Sequence, residues 1–114
     1  MTSTELITDE DRIRLFANAL ADERNPAFPV LKLFTPDAGA TWLISEVDPD
    51  DPDRLFGLCD LGVGAPELGY VSLAEIMEVR GCLGLPVERD IHFVADKPLS
   101  AYAEEARIKG RIVT

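Results

Sequence analysis

Histidine occurs once in these 114 residues, cysteine twice, and the 11 Lys plus Arg are outnumbered by 21 Asp plus Glu. Each shortage excludes something. A net charge of −10 argues against direct nucleic-acid binding, which needs clustered cations on the phosphate backbone. No apolar run approaches the roughly 18 residues that a membrane span requires. The first eleven residues are acidic and have no apolar centre, so they do not read as a signal peptide. Cys59 and Cys82 are too few for a disulfide framework or a cysteine-rich zinc site, and read as two buried thiols of a cytoplasmic protein. Cys82, beside Gly81 at a helix end, is the better candidate for an exposed one. With 46% hydrophobic and 28% charged residues the chain has the composition of a folded domain, and its length suits a single domain over 1–114.

Thr8 is placed to cap a first helix, with Asp9, Glu10 and Asp11 at the positive end of its dipole. Ile13, Phe16, Ala17 and Leu20 then recur at helical spacing and are predicted to form its buried face. Asn25-Pro26 and Pro29 break it. Residues 30–35 and 40–47 read as an antiparallel hairpin around Pro36-Asp37-Ala38-Gly39, with Gly39 supplying a positive φ. Residues 48–53 hold four Asp and two Pro and read as an exposed loop. A strand buried on both faces is predicted over 54–61, and a short one over 68–71.

Ser72-Leu73-Ala74-Glu75 is a capping box with Val71 and Ile76 as its staple. It opens a helix to about Arg80 that Gly81 closes in the left-handed conformation. Residues 88–94 alternate, with Glu88, Asp90 and His92 on one face and Arg89, Ile91 and Phe93 on the other, which predicts a half-buried strand. Pro98 suits the first turn of a last helix with Leu99, Tyr102, Ala103 and Ala106 buried and Gly110 at its end. The class is α+β: an antiparallel sheet of four to five strands with three helices, in the order α-β-β-β-(β)-α-β-α.

Motifs that carry chemistry are incomplete. Gly62-Val63-Gly64 would need glycine at 67, where Glu67 stands, and no Gly-Lys-Ser/Thr follows, so no phosphate loop and no cofactor is expected. The 48–53 segment has Pro52 and Asp53 where a calcium loop of the EF-hand type needs an oxygen ligand and a glycine. Neither Pro36-Asp37 nor Pro52-Asp53 is followed by the acid-x-Lys of a metal-dependent nuclease. Cys59 or Cys82 could form a dyad with His92, but the thiolate is disfavoured for Cys59 in an apolar strand, and free cysteines are usually packing residues. Arg89 shares a face with apolar residues and must meet a carboxylate; Asp60 and Glu67 are the expected partners.

Trp42-Leu43-Ile44-Ser45-Glu46 with Asp48, Phe56 through Gly62, Pro66 through Ser72, and Glu88-Arg89-Asp90 together resemble the bacterial domain-of-unknown-function family numbered 2958, over roughly residues 30–102. The resemblance implies a small soluble protein of plasmids and other mobile elements. It brings no catalytic residues with it.

Two functions are compatible with the residues. The first is a non-catalytic module that docks a basic protein surface, as an accessory or defence-blocking protein of a mobile element. Its motive is charge: residues 37–60 carry seven acids and one base, Arg54, a net of −6, leaving −4 for all the rest. Its binding residues are Asp48, Asp50, Asp51, Asp53, Asp60, Glu67 and Arg89. The alternative is a small metal-dependent hydrolase or nuclease-like enzyme using Glu88, Asp90 and His92. In either case the expected protein is cytoplasmic, a monomer or homodimer, and without membrane contact.

Overall fold

In the computed structural model, which describes residues 6–21 and 27–114, Thr8 opens helix α1 (Asp9–Ala19). Its hydroxyl accepts the Asp11 N–H (3.1 Å) and the Asp11 carboxylate accepts the Thr8 N–H (2.9 Å), a reciprocal cap that satisfies two backbone donors. The buried face is not the predicted one. Asp11 and Leu15 are buried, whereas Ile13 (70% exposed), Phe16, Ala17 and Leu20 face solvent. Polar anchors decide the rotation: Asn18 donates to the Ser45 carbonyl (2.8 Å) and Asp11 binds Arg89. Both bonds are satisfied only when Leu15 points at the sheet. The predicted break at Asn25-Pro26 lies outside the described residues.

Strands β1 (Leu31–Phe34), β2 (Thr41–Asp48), β3 (Asp51–Asp60), β4 (Glu67–Ser72) and β5 (Glu88–Arg89) form one antiparallel sheet in the order β4-β3-β2-β1-β5. With α2 (Leu73–Glu78) and α3 (Leu99–Lys109) this is the expected α+β order. One face of the sheet packs Leu31, Leu33, Trp42, Ile44 and Leu55 against Leu15 of α1 and Ile76 of α2. The other packs Leu43 and Leu58 against Leu99, Tyr102 and Ala106 of α3. Period-two alternation along β2 and β3 thus feeds two cores. In α3 the predicted face is the observed one, and Gly110 ends the helix with φ +75°.

Several boundaries differ from the sequence reading. Residues 48–53 are not a loop. β2 and β3 meet in a tight turn with Asp48 opposite Asp51, leaving Pro49 and Asp50 at the tip. Pro52 is tolerated because the β2 register is irregular there and β4 reaches only to Arg54, so no ladder bond needs its missing N–H.

β5 ends at Arg89 because Asp90 turns the chain. Its carboxylate accepts the His92 N–H (2.9 Å), and the Phe93 N–H reaches the Asp90 carbonyl (3.3 Å). The predicted alternation through 94 therefore does not exist, and Ile91 is 79% exposed.

Neither Gly39 nor Gly81 is left-handed. The Thr35 hydroxyl accepts the Ala40 N–H (2.9 Å) and closes that turn without a positive φ at Gly39. α2 stops at Glu78 with Val79 extended. Gly81 serves instead to make room, because a Cβ there would overlap the Asp37 carboxylate.

A Cβ on Gly57 would overlap the Leu43 carbonyl, a backbone atom in the middle of the β2–β3 ladder that cannot swing aside. Gly57→Ala is expected to cost on the order of 3 kcal/mol. Urea unfolding of the variant and the parent measures this, and equal midpoints would contradict the packing described.

Candidate functional site

The acidic turn is built from the strand ends upward. The Asp48 carboxylate accepts the Asp50 N–H (2.9 Å) and lies 3.4 Å from the Arg54 guanidinium. Asp51 accepts the Asp53 N–H (3.0 Å), so the carboxylates at the strand ends hold the tip in shape. Arg12 of α1 donates to the Pro52 carbonyl (3.2 Å).

Asp53 does not project with the others. It accepts the Ser72 hydroxyl (2.6 Å) and the Ala74 N–H (2.8 Å), and so clamps the turn to the start of α2. The Ser72 bond, then the Ala74 bond, hold its carboxyl below the usual carboxylate range. The tip therefore presents Asp50 and Asp51 fully and Asp48 in part. Beside it, Arg54 lies over the Tyr70 ring (3.9 Å to the centroid), and Tyr70 meets Phe56 edge-on at 5.1 Å.

The other predicted binding residues are dispersed. Asp60 is buried at the opposite end of β3. Its two oxygens accept the Gly62 N–H (2.8 Å) and the Ile112 N–H (2.9 Å), fixing the turn after β3 and the C-terminal segment. Glu67 is exposed and pairs in register with Cys59. Burial, helped by the Glu67 charge, pushes the Cys59 thiol up to about 11. Cys59 is half-buried and Cys82 exposed, so only one thiol approaches the expected burial. Cys82 lies on the loop after α2, and its contact is with the β1–β2 turn. Its Sγ lies 3.1 Å from the Asp37 carbonyl, and the Asp37 carboxylate accepts the N–H groups of Leu83 (2.8 Å) and Leu85 (3.2 Å). An Asp in a turn opposite a glycine-rich loop was the available signal, but nothing local pairs residues so distant.

Arg89 is half-buried and paired, as charge burial demands, but not with Asp60 or Glu67. Its guanidinium binds both oxygens of Asp11 and donates to the Leu6 carbonyl (3.3 Å). β5 pairs with β1, so β1 and β2 stand between it and β3, and strand parity turns Arg89 to the α1 face. Occupied in this way, Arg89 is a structural lock and not a free anion-binding group.

Glu88, Asp90 and His92 share the rim of an open groove of about 780 Å³ with Phe34, Met77 and Ile91. Asp90 lies 3.4 Å from the Lys32 ammonium. Its bond to the His92 N–H, aided by Lys32, holds its carboxyl below the usual range. Among the described residues no group of three or more His, Cys, Asp or Glu side chains is placed to hold a metal ion. No helix of the described residues is long and apolar enough to cross a membrane.

The family described as "Protein of unknown function (DUF2958)" matches residues 6–113. No curated protein and no solved structure matches the chain.

The Asp11–Arg89 lock has a pH signature. Burial pushes the Asp11 carboxyl up, but its bonds from Arg89 and Thr8 outweigh this and hold it below its ordinary 3.8. Its contribution is complete above that value and is lost as pH falls through the lower folded value. Arg89→Ala is expected to cost about 2 kcal/mol at neutral pH by stranding the carboxylate, discounted from a fully buried pair because Arg89 is partly exposed. In Asp11→Asn the acid-induced loss of stability becomes shallower than in the parent. Urea unfolding at neutral and acid pH reads both effects, and parental curves for both variants would refute the assignment.

Proposed function

The chain belongs to the DUF2958 family, and we propose that it is a non-catalytic binding module that docks a basic protein surface. The observation that carries this reading is the β2–β3 turn. It is a hydrogen-bonded tip that carries Asp48, Asp50 and Asp51 at one end of the sheet and is tied to α1 through Arg12 and to α2 through Asp53. Like charges gathered on a pre-ordered turn lose little conformational freedom on docking, and they raise the rate of encounter with a cationic surface. Glu75, exposed in the first turn of α2, shares a hollow with Asp51 and Asp53 and extends the negative surface.

The reading narrows the set of binding residues. Asp48, Asp50, Asp51 and Glu67 remain as surface charges. Asp53, Asp60 and Arg89 act within the fold. The free cysteines are in keeping with a cytoplasmic setting.

The test is capture at low salt from the source bacterium, followed by kinetics with the purified basic partner. The variant combines Asp48→Asn, Asp50→Asn and Asp51→Asn, and leaves Asp53 alone because its carboxylate caps α2. Its melting temperature should stay close to the parent's, since Asn keeps a side-chain oxygen to accept the Asp50 and Asp53 N–H groups and the surface charges removed contribute little to stability. Its association rate should fall about tenfold at low ionic strength, and the difference should vanish at high salt. Equal association rates at low salt would overturn the reading. A melting rise with zinc or manganese that His92→Ala abolishes would favour a metal-dependent enzyme in its place.

A further inference from the structure

β4 ends the sheet. All six of its residues pair with β3, with no register shift, and among the described residues the backbone of residues 67–71 makes no hydrogen bond on its other side. The opposite edge, β5, is only two residues long. A strand of this length with every second N–H and C=O directed outward is a template for another chain. Most devices that usually blunt such an edge are missing from β4: Glu-Leu-Gly-Tyr-Val-Ser holds no lysine, no proline and no bulge, and its one charge, Glu67, stands at its end. A side chain at Gly69 would meet nothing within 4 Å, so the sheet face over the centre of β4 is open as well. Leu68 and Tyr70, one face of the strand, are 47% and 56% exposed.

Charge selects the occupant. Glu67 stands at one end of β4. At the other end Asp51, Asp53 and Glu75 surround the hollow that Tyr70 and Ser72 line; of the cations near it, Arg54 is drawn onto the Tyr70 ring and towards Asp48, and Arg12 reaches the Pro52 carbonyl. An antiparallel pairing of β4 with a second copy would bring Glu67 of each chain to Asp51 and Glu75 of the other, a like-charge contact at both ends.

We propose that β4 is a docking edge. An extended segment of the basic partner adds to it as a sixth strand, with apolar side chains on Leu68 and Tyr70 and Lys or Arg residues at the acidic ends. The proposal rests on the acidic-surface reading and adds backbone pairing to it.

A synthetic peptide of alternating lysine and valine, about eight residues long to match a strand, separates the two. A second peptide carries the same side chains but is N-methylated at alternate amides, which removes the ladder bonds and keeps the charge. The first should bind the full chain about tenfold more tightly than the second, and should slow hydrogen exchange at the amides of residues 67–72. Leu68→Lys, checked for an unchanged melting curve, should weaken the first peptide by a similar factor. Equal binding of both peptides, lost in the Asp48/Asp50/Asp51 variant, would overturn the docking edge and leave the acidic tip standing. If methylation matters and that variant changes nothing, the edge stands and the tip does not. Failure of both peptides to bind, or a dimer of the chain alone with residues 67–72 protected, would overturn the edge.

Discussion

The ion pair between Asp11 and Arg89, 78 residues apart, is the constraint on which the rest of the packing depends. Asp11 is at once an arm of the α1 cap and the counter-charge of the short edge strand. Its burial is tolerable only because Arg89 and Thr8 satisfy it. The pair fixes the rotation of α1, which sends Leu15 into the core and leaves Ile13 and Phe16 outside. It also holds β5 on β1, where only two residues of pairing are available.

The same chemistry recurs elsewhere. Asp37, Asp53 and Asp60 each direct their oxygens at backbone N–H groups far along the chain: Leu83 and Leu85, Ala74, and Ile112. These carboxylates tie distant segments together by satisfying backbone donors that would otherwise lack a partner. The net charge of −10 therefore overstates the acidic surface, because part of it is spent inside the fold. Of what remains exposed, Asp50, Asp51, Glu67 and Glu75 flank the β2–β3 turn and β4, where the sheet is also unfinished, while Asp9, Glu10, Glu78, Glu88, Asp96 and Glu104 lie elsewhere. Charge and an open backbone edge on one side of the molecule are the joint basis of the binding-module reading.

Elements whose signals are local were legible in the sequence. Thr8 and Ser72 cap helices through bonds spanning three residues, Gly110 closes α3, and β-branched and apolar runs mark the central strands, so class, element order and the first hairpin followed from short-range chemistry. The fold could be read because each of these groups finds its partner within a few residues. The site could be read only as composition: the acids of 48–53 were visible, but not that Asp53 leaves them to clamp Ser72 and Ala74.

What only the tertiary structure decided are the choices made by distant partners. Apolar periodicity named the wrong face of α1, because two polar bonds to the sheet outweigh a stripe of larger apolar area. The alternation of 88–94 named a strand that ends at Arg89, because Asp90 bonds its own neighbour's backbone. Arg89 required a carboxylate, and the sequence determined that much, since a guanidinium in a packed face cannot stay unpaired. Which carboxylate it meets depends on sheet order and strand parity, which bring β5 beside β1 and turn Arg89 towards α1; neither quantity exists until the chain has folded.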